Sequence, residues 1–457
     1  MDIEIDGFRW GQKLLNLLEK KDPSINSSEV YITVDNILNI KIEENSIKNS
    51  RIKLKKGIST RCIDNRGACG FAFTNSFQQN DIENIATEAI KLMKNGTKDP
   101  DFKKLPSKYQ KYPKIKDLYD DDIANIQVED TSRFASELIK VGEENDLAIS
   151  QSGNFVSQSS EIYILNSNGI QVSEKRAYAS VSSNMIVRDE TTKETAFGYE
   201  SKVVRTLEDL NARKVALSAL EDGKRNLNRK KIENMKVPVI LTPRGTINLI
   251  LEPLSTAINA ETFQYKRSFL IGRRGDRIAS DLINIEDNGL IDGAVGSRTF
   301  DDEGVPCKNK KIIENGKFIE EALLHNSYTA GKEGIESTGN ATRSSYSSLP
   351  SIDSTNFILK PGKSSKDEMI SGIKKGILFD YTGDSPNIST GDFSGLILHG
   401  NLIKNGNISH PLNETMFGIN LIELFRRISE ISEEYETYGN YKAPYVKVDN
   451  INIIGSK

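Results

Sequence analysis

The first half of the chain alternates between two periods of apolar residues. Residues 7–20 repeat apolar side chains at the spacing of an amphipathic helix. Runs with a period of two, typical of strands, then cover residues 30–34, 37–42, 51–54, 58–63 and 68–74. Residues 81–94 return to the helical period. The pattern therefore predicts a unit in which several strands are followed by a helix.

The same order of elements returns further along the chain. Helices are predicted at 129–144 and 207–220, and the strands predicted between them cover 160–165, 170–174, 177–187 and 196–199. Phe71 of the first unit would correspond to Phe197 of the second. The pattern indicates an internal duplication, although any alternation of strands and helices produces a similar one. Residues 98–119 join the two units, and their prolines and charges are typical of an extended surface linker.

The second half, from about residue 237, has a different pattern of apolar and turn-forming residues. Asn-Gly pairs at 315–316 and 405–406 lie between apolar runs and predict antiparallel hairpins. Helices are predicted at 366–375 and 420–432, and a final strand at 445–454. We therefore predict an α+β protein of two domains. Residues 1–225 form an N-terminal α+β domain of the kind that dimerises, and residues 237–457 form a largely antiparallel β domain with flanking helices.

Composition excludes several classes of protein. The 457 residues include 61 Lys and Arg against 64 Asp and Glu, a net charge of −3, and no basic stripe of the kind that binds nucleic acid. No apolar run is long enough to span a bilayer, and Met1-Asp2-Ile3-Glu4 lacks the basic start of a signal peptide. With three cysteines and no disulfide framework, we expect a cytoplasmic protein.

Several segments carry a resemblance to a known family. They cover 57–75, 268–272, 275–280, 296–306, 315–316, 337–341 and 390–395. In combination they resemble the TldD/PmbA family of peptidases, a family that has also been labelled a modulator of DNA gyrase. The near-neutral charge does not support direct binding of DNA.

The resemblance also identifies what this chain lacks. Active members of the family carry His-Glu-x-x-x-His, in which the two histidines hold zinc and the Glu acts as general base. At those positions this chain has Leu251, Glu252 and Thr256, and leucine and threonine side chains are not zinc ligands of the usual kind. The third ligand of the active branch is a cysteine, and residues 438–444 contain none. We therefore expect no metal and no catalytic residue in this chain, with Glu252 a vestige or an ordinary helix carboxylate.

Two other groups of residues are candidates for contact with a peptide. They are Asp301, Asp302, Glu303, Gly391, Asp392, Phe393 and Ser394. The three adjacent acids are also typical of a structural loop whose carboxylates accept backbone hydrogen bonds, since a calcium site would need more oxygen ligands. Ser394 lacks the Gly-x-Ser-x-Gly spacing of a hydrolase nucleophile.

The resemblance implies a PmbA-like (TldE-like) subunit of a peptidase complex. Such a chain would pair with a zinc-containing TldD-like catalytic subunit, or with a second copy of itself, and would help to enclose and bind unfolded peptides. Two alternatives remain open from the sequence. The chain is a self-sufficient metallopeptidase with a non-standard site, or it is a homodimeric protein that binds peptides and regulates another process.

Overall fold

The computed structural model describes residues 5–102 and 104–456, so Met1–Glu4 and the prediction made on them lie outside the described residues. The described chain forms two large sheets flanked by helices, an α+β arrangement in two domains as predicted. Strands from the first half of the chain build the smaller sheet, and strands from the second half build the larger one. No helix in the described ranges has both the length and the apolar character needed to span a bilayer.

The smaller sheet has six strands in the order β3-β2-β1-β4-β5-β6, all paired antiparallel. Its elements in chain order are α1 (Gly7–Lys21), β1 (Ile25–Glu43), β2 (Ser46–Asp64), β3 (Cys69–Thr74), α2 (Gln79–Asn95), α3 (Asp121–Ala124), α4 (Val128–Glu143), β4 (Ala148–Asn166), β5 (Gln171–Arg188), β6 (Thr195–Val204), a 3-10 turn (Leu207–Asp209) and α5 (Ala212–Arg225). One order, a helix, three strands and a helix, is therefore used twice. The two units meet where β1 pairs with β4 at the middle of the sheet.

Two glycines show which residues of the two units correspond to each other. A Cβ on Gly70 of β3 would lie 1.8 Å from the carbonyl oxygen of Ala89 in α2. A Cβ on Gly198 of β6 would lie 1.9 Å from the carbonyl oxygen of Ala219 in α5. Because each helix approaches its strand this closely, only glycine fits at either position. The equivalence of the two glycines pairs Phe71 with Tyr199, not with Phe197 as the sequence pattern suggested.

Pairs of predicted strands in this half prove to be single long strands. The runs at 30–34 and 37–42 are one strand, β1, and the runs at 51–54 and 58–63 are one strand, β2. Asp35 and Asn36 interrupt the apolar pattern but remain in the ladder opposite Lys55 and Leu54. Their polarity marks partly exposed positions on a continuous strand, so it does not mark a turn. The helix predicted at 207–220 begins later, at Ala212, with Asn211 as its N-cap.

The larger sheet contains twelve strands and is mainly antiparallel, with parallel pairs between β7 and β14 and between β13 and β20. Its half of the chain contains β7 (Met235–Leu241), α6 (Pro243–Thr246), a π-helical turn (Ile247–Leu251), α7 (Glu252–Ala257), α8 (Ala260–Gln264), β8 (Ile285–Asn288), β9 (Asn309–Glu314), β10 (Lys317–Phe318), α9 (Ser327–Glu333), β11 (Ala341–Thr342), β12 (Ser351–Ile352), β13 (Phe357–Leu359), α10 (Lys366–Ser371), β14 (Lys375–Tyr381), β15 (Asp392–Leu396), β16 (His399–Lys404), β17 (Asn407–Pro411), β18 (Met416–Asn420), α11 (Leu421–Arg426), β19 (Ile428–Tyr438) and β20 (Tyr441–Ile454). β11 and β12 pair only with each other.

Two predicted helices in this half are shorter than the pattern indicated. The helix predicted at 420–432 ends at Arg426, and the chain continues from Ile428 as β19. Ile428 and Ile431 are buried by the ladder with β20, so tertiary pairing overrides the helical period. The helix predicted at 366–375 ends at Ser371, because Lys375 already begins β14. Both Asn-Gly hairpins form, with Asn315 and Asn405 at positive φ.

The segment predicted as a surface linker is mostly exposed, and a few of its residues anchor it to the rest of the molecule. The described residues 104–119 are irregular, but Leu105 is fully buried. The Tyr112 hydroxyl donates to the Gly304 carbonyl oxygen at 2.9 Å, and its ring lies 6.0 Å from that of Phe300. The apolar residues among the prolines therefore attach this segment to the C-terminal half.

Candidate functional site

In the segment 251–256, which the resemblance aligns with a zinc motif, the side chains at the two ligand positions point in different directions. Leu251 ends the π-helical turn, and its side chain is fully buried in the main core of the C-terminal half. Thr256 is exposed on α7, and its hydroxyl donates to the carbonyl oxygen of Glu252 at 3.0 Å. In this chain one side chain is buried in the core and the other is on the solvent side. The two positions therefore do not converge on one point.

The residues present do not fit the zinc site of the active family members. Leu251 has no donor atom, and the Thr256 hydroxyl is already bonded within its own helix. The third ligand position falls in the hairpin between β19 and β20, where residues 438–444 offer no thiol. The Cys307 thiol is buried elsewhere, 3.4 Å from the carbonyl oxygen of Gly339. The donor set required for that zinc site is therefore missing from all three positions.

Glu252, which the resemblance places at the position of the general base, lines a cavity of about 460 Å³. None of the described residues forms a hydrogen bond or an ion pair with its carboxylate. The residue is exposed, and partial desolvation of its carboxyl raises the pKa of Glu252. The cavity lies between the free edge of the smaller sheet and the C-terminal half. Its walls are formed by Asn184, Phe197, Tyr199, Ser201, Arg244, Ile247, Asn248, Glu252, Tyr381, His399 and Tyr438.

A charged network beneath this cavity joins the two halves of the molecule. Arg244, on the short helix α6, donates from Nη2 to Asp222 Oδ1 at 3.0 Å and also to Asp380 Oδ2. Its Nη1 donates to the Tyr199 carbonyl oxygen at 2.8 Å. The Tyr199 amide donates to Asp222 Oδ2 at 3.1 Å. Asp222 belongs to α5, so the network fastens the edge of the smaller sheet to the larger one.

The local sequence explains how Arg244 is held. Thr242 caps α6, with its Oγ1 accepting from the Gly245 amide at 3.2 Å, and Pro243 follows at the first helical position. The Thr242 hydroxyl also donates to Asp380 Oδ1 at 2.5 Å. Burial opposes ionisation of Asp222, but His399 and Arg244 outweigh it and lower the pKa of that carboxyl to about 2.

His399 is the second polar group of interest at the cavity. Its side chain is 4% exposed, and its Nδ1 lies 3.4 Å from Asp222 Oδ2. Its other ring nitrogen, Nε2, forms no hydrogen bond to a described residue. The rings of Phe197 and His399 lie 4.6 Å apart. A buried polar atom without a hydrogen bond costs about 1–3 kcal/mol, which draws attention to this side of the cavity as a place for a polar ligand.

Asp222, Asp380 and His399 also form a group that could hold a metal ion, since their donor atoms lie within 4.8 Å of one another. However, Arg244 already donates to both carboxylates. A metal ion would have to displace this guanidinium from two partly buried ion pairs. The contacts therefore assign the two carboxylates to the network between the halves.

The three adjacent acids singled out from the sequence lie in a different buried network. Asp301 accepts from the amides of Glu303, Val305 and Ala341, each at 2.9 Å. Asp302 accepts from the Arg343 amide at 2.7 Å. These backbone hydrogen bonds are of the kind expected for a structural loop. Peptide binding by these acids stays a prediction.

Glu303 extends this network to the N-terminal half. It pairs with Arg61 of β2 at 2.7 Å and accepts from the Ser327 hydroxyl at 2.6 Å. Burial opposes its ionisation, but Arg61 and Ser327 together lower its pKa. Arg61 also pairs with Glu29 at 3.1 Å, and Glu29 in turn pairs with Arg343.

The other predicted peptide contacts lie at the start of β15. Gly391 has a φ of +80°, and Asp392 accepts from the Asn420 amide group at 2.9 Å. Phe393 is buried against Phe417, and the Ser394 side chain is exposed. None of the four lines the cavity at Glu252. Peptide binding by this segment also stays a prediction.

Sequence reasoning missed most of the residues around the cavity. Arg244, Asp380 and Tyr381 had no motif that would single them out, and neither did His399. These residues come from separate segments that the fold brings together. The Thr-Pro-Arg-Gly segment at 242–245 is a helix start, and that is the one local signal that could have drawn attention to Arg244.

Comparison with known proteins agrees with the resemblance. Residues 121–227 match the model of the PmbA/TldA metallopeptidase central domain, and residues 234–455 match that of the C-terminal domain. A metalloprotease PmbA homolog of Buchnera aphidicola is 27% identical over 465 residues, covering 100% of this chain and 99% of the relative.

Two solved structures share the fold. TldE from Thermococcus kodakarensis matches with a TM-score of 0.85 at 23% identity, covering 97% of this chain and 99% of that one. A proposed modulator of DNA gyrase from Bacteroides thetaiotaomicron matches with a TM-score of 0.87 at 23% identity, over 100% of both chains.

Proposed function

The chain belongs to the PmbA/TldD metallopeptidase family, and we propose that it is a subunit that supports catalysis without performing it. In this proposal it pairs with a TldD-like subunit that holds zinc and cleaves unfolded peptides. This chain then supplies part of the enclosure and part of the peptide-binding surface.

One observation carries the proposal. The two positions that would be histidines hold a leucine buried in the core and a threonine whose hydroxyl is bonded to its own helix. Glu252 remains, but a carboxylate acts as general base in such a site only beside a metal-bound water. The fold of the metallopeptidase is therefore retained without the donors that its chemistry requires.

The edges of the two sheets support a role in binding peptide. β6 is the last strand of the smaller sheet, and β19 pairs with β20 at the larger one. Between them lies a second cavity of about 480 Å³, whose walls include residues 200–202 and 435–438. It shares Ser201 and Tyr438 with the cavity at Glu252. An extended peptide can add to an exposed strand edge through backbone hydrogen bonds, without any metal.

A self-sufficient peptidase with a non-standard site is the second candidate. The observation in its favour is the group of Asp222, Asp380 and His399 beside Glu252. The contacts of Arg244 with both carboxylates weigh against it. A homodimeric peptide-binding or regulatory protein is a further alternative, in which a second copy replaces the catalytic partner.

Reconstitution with a partner tests the proposal. The full-length chain is purified alone and together with a family member from the same cell that carries His-Glu-x-x-x-His, and cleavage of an unfolded peptide is followed by mass spectrometry. We expect cleavage by the pair that a chelator abolishes, and none by the chain alone. Failure of the two chains to associate, or equal cleavage by the catalytic partner without this chain, would contradict the proposal.

A further inference from the structure

Aromatic rings dominate the walls of the cavity at Glu252. Phe197 and Tyr199 come from β6, Tyr381 from the end of β14 and Tyr438 from the end of β19. The first three are 44%, 39% and 38% exposed, values that are high for aromatic side chains in a folded protein. The faces of such rings carry partial negative charge and attract cations.

The charged groups around the cavity have an excess of negative charge. Asp222 and Asp380 share the guanidinium of Arg244, so its positive charge is already neutralised. Glu252, an exposed residue on the cavity wall, adds a carboxylate that no described residue pairs with. A peptide carboxylate or a phosphate would therefore meet repulsion at this site, whereas a cation would gain a partner.

His399 provides a second, independent indication of a polar ligand. Its ring is almost completely buried and lines the same cavity; Nδ1 lies 3.4 Å from Asp222 Oδ2, and Nε2 has no hydrogen bond to a described residue. An ammonium group has three donors, and a neutral imidazole nitrogen can accept one of them. Glu252 and His399 thus offer a counter-ion and an acceptor on the walls of one aromatic cavity.

We propose that this cavity binds a primary ammonium group of a peptide, with Glu252 as its counter-ion and the aromatic rings around it. The ammonium is either that of a lysine side chain or that of the peptide N-terminus. This inference rests on the proposed function only in taking a peptide as the ligand. It adds that the subunit selects peptides by positive charge at the cavity that Glu252 lines.

Calorimetric titration of the full-length chain with matched peptides tests the inference. The parent peptide is acetyl-Ala-Ala-Lys-Ala-Ala-amide, and norleucine replaces the lysine in the neutral analogue. A third peptide has norleucine and a free N-terminal amine, and a fourth has norleucine, an acetylated N-terminus and a free C-terminal carboxylate. Glu252→Gln removes the charge at constant size, and Phe197→Leu removes one ring. Glu88→Gln, on the exposed face of α2 at the opposite edge of the sheet, is the matched control.

We expect the lysine peptide or the free-amine peptide to bind about tenfold more tightly than the neutral analogue. Which of the two binds identifies the source of the ammonium. Glu252→Gln is expected to abolish this preference and Phe197→Leu to reduce it, while Glu88→Gln leaves it unchanged. Equal binding of the neutral analogue, a preference that survives Glu252→Gln, preference for the free carboxylate, or no binding of any peptide would each overturn the inference.

Mass spectra of the titrated peptides keep this inference separate from the proposed function. Cleavage by the lone chain would contradict the proposed function but leave a measured preference for the cation standing. Intact peptides bound without regard to charge would contradict only the inference made here.

Discussion

At the scale of single residues, Leu251 and Thr256 occupy the two positions where the resemblance implies histidine ligands, and their side chains have different surroundings. The Leu251 side chain is part of the core between the larger sheet and its helices. Thr256 is on the solvent side and contributes one bond to its own helix. Restoring a histidine at position 251 would bury an imidazole among aliphatic side chains, which is costly without a partner.

The two positions should therefore respond very differently to truncation. Leu251→Ala is expected to lower the free energy of unfolding by about 2–5 kcal/mol, because it opens a cavity in a packed core. Thr256→Ala, the matched control in the same segment, should change it by no more than about 0.5 kcal/mol. Thermal denaturation of the two variants measures the difference. Similar melting temperatures would mean that Leu251 is not packed as described.

Sequence reasoning identified the side chains at these positions but not the cavity beside them. The motif could be aligned because its residues are contiguous, so the absence of ligand side chains was visible at once. The residues that line the cavity could not be collected in the same way. Tyr199, Arg244 and His399 lie on three elements, and only the docking of the two halves brings them together.

At the scale of elements, the close contact between β6 and α5 connects the fold to the cavity. Gly198 lies between Phe197 and Tyr199, two residues of the cavity wall, and α5 carries Asp222. A Cβ at position 198 would come within 1.9 Å of the Ala219 carbonyl oxygen and 2.2 Å of the Gly223 amide nitrogen. These are backbone atoms, so the helix would have to move as a whole.

Gly198→Ala should therefore destabilise the protein and disturb the cavity together. We expect a loss of about 1–3 kcal/mol in the free energy of unfolding, typical of overpacking. Gly383→Ala is the control, because a Cβ there would have its nearest neighbour at 3.4 Å, an ordinary contact. Thermal denaturation compares the two variants with the parent protein. No difference between them would show that α5 does not lie this close to β6.

The elements also show where sequence patterns fail. Amphipathic helices such as α1 and α2 were predicted within a few residues, because their period is set by burial of one face. Long strands were divided, since polar residues at exposed ladder positions resemble turns. β19 was taken for part of a helix because its pairing with β20 depends on a partner that local sequence does not reveal.

At the scale of the whole molecule, two charged networks join the halves, one buried and the other partly buried. One runs from Glu29 and Arg61 to Glu303 and Arg343, and the other from Asp222 to Arg244, Asp380 and His399. Buried charges of this kind are tolerated only when paired. Each network contains residues from both halves, so the relative position of the sheets, and with it the cavity, depends on these pairs.

Low pH should weaken the network around Asp222 over a defined pH range. The pKa of Asp222 is lowered to about 2 in the folded protein, from an ordinary value near 3.8. Its carboxylate therefore contributes about 2 kcal/mol of stability above pH 4, which is lost as the pH falls from about 4 to 2. Asp222→Asn should lower the melting temperature at pH 7, and the difference from the parent should shrink near pH 3.

Scanning calorimetry at pH 7 and pH 3 makes this comparison. Asp146→Asn, at an exposed position, provides a control for the loss of one carboxylate. A difference between Asp222→Asn and the parent that is the same at both pH values would show that the carboxylate is not held by its partners as described.

The central claim is that this chain has the fold of a metallopeptidase and lacks the side chains to hold its metal. Its most direct test is the zinc content of the full-length protein, purified alone, equilibrated with zinc, dialysed and measured by elemental analysis. We predict far less than one zinc per chain and no peptide cleavage. One zinc held per chain, with cleavage that is lost when a chelator removes it, would contradict the account.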